Sequence, residues 1–196
     1  MLVEFSDANY RSFWEPRKLS MAATTHKDLM ENNTFVCPVS GLPRLLRSAV
    51  VYGPNAGGKS NFIRAMGFVK QFVVSSAKEH QEGEGIAVSP FLFNQLGSSQ
   101  PSDFEVQFVQ EDVRYQYGFA ATRERVTNEW LIAYPEGRAQ RWFERAFQPE
   151  EKSYRWYFGS RFVGRKKQWQ EMTRQNSLFL STAIQWNSEQ LKPVFA

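Results

Sequence analysis

The eight residues Gly53-Pro54-Asn55-Ala56-Gly57-Gly58-Lys59-Ser60 satisfy G-x-x-x-x-G-K-[ST] and lie between two apolar runs. A main-chain site for polyphosphate needs several N–H groups pointing inward, and a backbone poor in Cβ atoms can approach that closely. Gly53 permits the turn out of a preceding strand, and Gly58 permits tight approach. The amides from Asn55 through Ala56, Gly57, Gly58 and Lys59 to Ser60 then converge at a helix N-terminus, with Asn61 next in line, where the helix dipole favours anions. Lys59 reaches the β- and γ-phosphates as a point charge, and the Ser60 hydroxyl is a ligand for Mg²⁺. The flanks suit this role. Ala49 to Tyr52 predicts a short buried strand, and apolar residues at 62, 63, 65, 66, 69, 72 and 73 predict a helix over 60–80. The loop therefore predicts nucleotide phosphate binding with Mg²⁺.

The rest of the composition narrows the setting. At 196 residues, 42% hydrophobic and 15% aromatic, the chain can bury a core and is not of disordered type. No apolar run approaches the roughly 20 residues of a membrane-spanning helix, so no membrane partner is expected. The opening MLVEFSDANYRSF alternates and carries acids, unlike a signal peptide. One cysteine, Cys37, excludes an internal disulfide and predicts a reducing cytoplasm, and with His26 and His80 far from it no zinc cluster can be assembled. Charge is segregated: residues 1–60 sum to +2, 75–112 to −6 and 123–174 to +5. That distribution suits either two faces of opposite sign or an ordinary solvated surface with internal ion pairs.

Along the chain, LVEFSDANYRSFWEPRKLSM predicts a pair of short strands interrupted at Pro16, and residues 22–43 predict loop, with an edge strand at Phe35 to Val39. Residues 81–103 form a Gly/Ser/Pro-rich connection. DFEVQFVQ, RYQYGFAATRE, NEWLIAYPEG and AQRWFERAFQ alternate, are rich in rings and are divided by turn signals, which predicts an antiparallel meander. KSYRWYFGSRFVGRKKQW continues that style. LFLSTAI predicts a strand, and QWNSEQLKPVFA starts like a helix.

With the loop in place, Asn9-Tyr10-Arg11-Ser12-Phe13 makes a second motif. Followed some forty residues later by AVVYGPNAGGKSNFIRAM, it resembles ABC-type ATPases of the SMC, RecF and OLD kind, and more closely the bacterial AAA-family ATPases of abortive-infection and phage-defence systems. The resemblance implies an α/β fold: a P-loop NTPase core with an antiparallel, aromatic-rich β lobe, its sheet incomplete in this chain. It implies three segments: 1–80 with the N-terminal strands, phosphate loop and first helix, 81–175 the β lobe, and 176–196 a strand and helix start leading to a second half. ATP with Mg²⁺ is the implied cofactor; no Asn-Lys-x-Asp segment reads guanine. Arg11 corresponds to a basic residue near the nucleotide in some relatives, though a surface arginine fits equally. Gln185 corresponds to a glutamine that senses magnesium and the attacking water, a role several other glutamines could fill.

Hydrolysis needs an acidic pair at the end of a buried strand. WLIAYPEG comes nearest, yet Pro135-Glu136-Gly137 is a hairpin turn without aspartate, and QLGSSQ (95–100) imitates a signature segment in the wrong part of the chain. The chain thus resembles the N-terminal half of such an ATPase. It would be completed by a C-terminal half or a second ATPase subunit, would act as a homo-oligomer with ATP between heads, and would gate an effector of nuclease type. A different reading takes 152–169 as a DNA or RNA surface, with Lys152, Arg155, Arg161, Arg165, Lys166 and Lys167 interleaved with rings that could stack on bases. The competing reading is a strand with its aromatic face in the core and its basic face in water.

Overall fold

The computed structural model describes residues 1–26, 28–79, 81, 83–94 and 97–195. In chain order the elements are β1 (Leu2–Ala8), β2 (Arg17–Ser20), α1 (Met30–Asn33), β3 (Thr34–Phe35), β4 (Leu45–Leu46), α2 (Lys59–Glu79), β5 (Ser102–Gln110), β6 (Val113–Ala121), β7 (Val126–Tyr134), β8 (Gln140–Gln148), β9 (Ser153–Phe158), α3 (Lys166–Met172), α4 (Phe179–Gln185) and α5 (Lys192–Phe195). Seven strands form one antiparallel sheet in the order β2-β1-β5-β6-β7-β8-β9, and β3 pairs with β4 separately. The expected meander is present as β5 to β9, and it shares its sheet with the N-terminal pair through β1 and β5.

Alternation along these strands decides which face is covered. Phe5, Phe104, Tyr117, Phe119, Leu131 and Phe143 fall on the buried face and join one core with Phe62, Ala65, Val69 and Phe72 of α2. Ring packing marks the seam: Phe5 meets Phe62 at 5.5 Å, Phe72 meets Phe119 at 5.5 Å, and Phe143 meets Phe179 of α4 at 4.7 Å between centroids. The opposite face is polar. There Glu105 accepts hydrogen bonds from Gln116 at 2.9 Å and from the Trp130 indole at 3.3 Å. A smaller cluster of Val3, Cys37, Val39, Leu45 and Val109 lies under β3 and β4. No helix among the described residues is long and apolar enough to cross a membrane.

Four expectations from the sequence are corrected. LFLSTAI is the helix α4, not a strand, buried from Phe179 to Ala183. A continuous apolar run carries no period to separate the two, and here the carboxylate of Glu129 decides it. Glu129 on β7 accepts from the amides of Phe179 (2.7 Å) and Leu180 (3.0 Å), supplying a negative charge where a helix begins. Second, the basic stretch does not continue as strand beyond Phe158; Lys166–Met172 turn into α3. Third, Ala49 to Tyr52 form no strand. Val50 is 69% and Tyr52 86% exposed, because among the described residues no strand runs beside them to complete a ladder. Within LLRSAVVYG the strand pairing is confined to Leu45–Leu46, with the Arg47 amide donating to the Asn33 carbonyl at 2.9 Å. Likewise the edge strand expected at Phe35 to Val39 is confined to Thr34–Phe35.

Candidate phosphate-loop site

The helix α2 begins at Lys59, directly after the glycines, and runs 21 residues, about 30 Å. Gly58 serves as its start: its carbonyl accepts from the amides of Asn61 (2.8 Å) and Phe62 (3.0 Å). The first amides of any α-helix lack intrahelical acceptors, so this end presents free donors. Before it, the Gly57 amide donates to the Pro54 carbonyl at 3.2 Å, and Ala56 (φ 61°) and Gly58 (φ 87°) both take left-handed conformations. Such alternation folds successive amides into an anion-binding concavity. The resulting cradle, about 310 Å³, is lined by Asn55 to Asn61 and Arg64.

Lys59 is bent back over this cradle, its Nζ donating to the carbonyls of Gly53 and Pro54 at 2.7 Å each. The cation is thus held at the mouth of the loop by acceptors that a phosphate would replace. Asn61 Nδ2 donates to Ser12 Oγ at 3.0 Å, and Arg64 donates to Asn61 Oδ1 at 3.1 Å.

The N-terminal motif braces the loop from outside. A Cβ on Gly58 would stand 2.5 Å from Cζ of Phe13 and 3.0 Å from Ser12 Oγ, so glycine is demanded there by close approach as well as by its positive φ. The turn that carries Ser12 and Phe13 is closed by reciprocal Tyr10–Phe13 main-chain bonds of 2.9 and 3.0 Å. Asn9, buried beneath it, donates to the carbonyls of Gly97, Gln100 and Pro101 and accepts from the Phe91 amide, tying the 91–101 connection to the turn. Within QLGSSQ, Gln95 and Leu96 lie outside the described residues.

Beside the cradle a second cleft, about 210 Å³, is lined by Phe13, Arg17, Leu19, Tyr52 and Phe62 together with Gly57 and Lys59. The sequence offered no sign of Arg17; the β1–β2 register places it opposite Asp7. Asp7 follows Val3 and Phe5 on the inward positions of β1. It is 2% exposed, and neither carboxylate oxygen has a hydrogen-bond partner. Burial raises its pKa to about 6, against a smaller opposing pull from Arg17. The folded chain therefore prefers protonated Asp7: its contribution to stability is complete below the unfolded value of 3.8 and is lost as pH rises through about 6. Asp7→Asn is expected to stabilise the chain by ~1–3 kcal/mol at pH 7. The gain shrinks toward zero near pH 4, as read by urea denaturation at the two pH values.

The other sequence candidates fall elsewhere. The Arg11 side chain turns to Tyr10, donating from Nε to the hydroxyl at 3.2 Å, while its amide bonds Ser89; its neighbours Ser12 and Phe13 are the ones that meet the loop. Gln185 ends helix α4 and is exposed, rather than following a strand. α4 rests on α2 through Ser181 and Ser76, 3.0 Å apart, some 25 Å along α2 from Lys59. In the basic stretch, Lys152 lies in the β8–β9 turn, and Arg155, Arg161, Arg165 and Lys167 are exposed, while Lys166 donates to the Gly159 carbonyl at 3.2 Å. The rings that would stack on bases turn inward: Trp156 and Phe158 pack on Phe179 at 5.3 and 5.6 Å, and Trp169 is buried. Tyr157 stays outside, covered by Arg141 at 5.5 Å.

A glycine cradle at a helix N-terminus, with a lysine at its mouth and a serine hydroxyl on the first turn, defines a P-loop nucleotide-binding domain. Residues 48–167, well over half of the chain, match the profile of the AbiEii toxin-like AAA domain family of Type IV TA systems. The chain belongs to that family of AAA-type P-loop ATPases, which bind ATP with Mg²⁺. No curated protein matches it. The residues present fit that cofactor: the cradle is lined by the glycine-rich backbone of Asn55 to Gly58 at the start of α2, with the Lys59 ammonium and the Ser60 hydroxyl on its first turn. Among the described residues no group of three His, Cys, Asp or Glu could hold a metal.

Proposed function

We propose that this chain is the ATP-binding half of an ABC/SMC-like ATPase, whose hydrolytic residues come from a further segment or a second subunit. ATP bound between two such heads would drive dimerisation, and the dimer would control an effector, of nuclease type, in anti-phage defence. Gly53, Asn55, Ala56, Gly57, Gly58, Lys59, Ser60 and Asn61 hold the phosphates, and Ser60 the magnesium.

The observation that carries this reading is the exposed apolar run Val50-Val51-Tyr52 immediately before the loop. A strand-type sequence with no ladder beside it among the described residues, together with Ile63 and Val74 exposed on α2, supports completion by strands from outside the described residues. The described residues lining the cradle include no carboxylate to polarise water, which supports a site that binds but relies on assembly for turnover. Calorimetry with MgATP, with phosphate release followed in the same samples, tests it. One ATP per chain without turnover is expected; steady turnover by the isolated monomer would sink the half-site reading.

A further inference from the structure

We propose that Arg17 on β2 is the residue that grips the base of the bound nucleotide in the second cleft, donating to its edge while Phe13 backs the guanidinium. The inference rests on the phosphate-loop reading and deepens it. The cleft and the phosphate cradle share Gly57 and Lys59, so one ligand spans both, its phosphates on the loop and its other end beside β2. That end meets a different chemistry. Phe13, Leu19 and Tyr52 supply apolar walls, and two cations, Arg17 and Lys18, reach the rim.

The two cations are not equivalent. Lys18 is paired with Glu4 at 3.0 Å. The Arg17 guanidinium lies over the Phe13 ring at 5.8 Å, and no hydrogen bond or ion pair among the described residues engages it. Its counter-charge, Asp7, faces it across the β1–β2 register but is buried and forms no hydrogen bond to it. Arg17 is thus steadied by a ring and a field while its planar donor edge remains unused. A planar guanidinium backed by an aromatic ring suits a flat heteroaromatic base with acceptor nitrogens, because its unused in-plane N–H groups can donate to the edge of that base. A lysine would supply the charge without the plane. Phe13 therefore serves twice, bracing Gly58 from one side and backing Arg17 from the other.

The test compares MgATP with inorganic tripolyphosphate, which carries the phosphates and no base, on the wild-type chain, Arg17→Ala and Arg17→Lys. Arg17 is exposed on an edge strand, so the variants keep the fold; a thermal melt reads the small destabilisation expected in Arg17→Ala from the lost pull on Asp7. The expected result is a loss of about tenfold in ATP affinity for both variants, with tripolyphosphate affinity unchanged. Equal loss for both ligands would make Arg17 a phosphate contact and overturn the proposal. So would unchanged ATP affinity, or full recovery in Arg17→Lys. If the wild-type chain binds neither ligand, the phosphate-loop reading itself fails and takes this inference with it.

Discussion

Lys59→Ala is expected to lower MgATP affinity by roughly a hundredfold and to leave the fold intact. The magnitude is that of one fully formed charge-assisted contact to a phosphate at a site with few other cations. Lys59 lies at the first turn of α2, and its ammonium meets only the Gly53 and Pro54 carbonyls of its own loop. Its removal strips charge from the cradle without opening the core, which is made by Phe62, Ala65, Val69 and Phe72 further along the helix. Isothermal titration reads the affinity and a thermal melt checks the fold. A change of less than about threefold would mean that the loop's amides carry the binding by themselves, or that the ligand lies elsewhere.

The second large effect is on stability. Glu129→Ala is expected to cost about 3–5 kcal/mol, a large part of the total for a domain of this size. Glu129 and Arg145 are fully buried and paired at 2.9 Å, and Glu129 also accepts from the Tyr117 hydroxyl at 3.0 Å and from two amides of α4. Burial, followed by the Glu129 charge and hydrogen bond, pushes the Tyr117 hydroxyl well up, so it stays a donor. Arg145 in turn donates to the Ser177 carbonyl just before α4 and lies against Tyr154 and Trp156, 5.3 and 5.5 Å from their centroids. Truncating the carboxylate leaves a buried cation without its partner and a helix start without its acceptor. Replacing the pair together, Glu129→Leu with Arg145→Met, removes the desolvation cost along with the attraction and should be far milder. Urea denaturation of the two variants beside the wild-type chain reads this directly. A single-variant loss under 1 kcal/mol would show that α4 is held by its apolar contacts alone.

What could be read beforehand follows from what each element depends on. The loop and α2 were legible because their signals are local: glycine spacing, then a helical period from Phe62 onward. The meander was legible because alternation and turns are local too, down to the Pro135-Glu136-Gly137 corner, where Glu136 takes a left-handed φ of 56°. α4 was hidden because a helix buried from Phe179 to Ala183 looks like a strand, and its deciding partner, Glu129, is fifty residues away. Ala49 to Tyr52 reads as a strand by composition, but pairing is not a property of the segment itself. Arg11 was the visible basic residue of its motif, yet its neighbours Ser12 and Phe13 brace Gly58. Arg17 and Asp7 became a pair only through the β1–β2 register.

The measurement that bears most directly on the central claim is a backbone amide NMR titration with MgATP. The amides of Gly57, Gly58, Lys59, Ser60 and Asn61 should shift most, with smaller shifts at Phe13, Arg17 and Tyr52, while β6 to β8 stay still. Loop amides that do not move, with shifts gathered instead around Arg155, Arg161, Arg165 and Lys167, would contradict a phosphate loop and move the anion site to the basic surface.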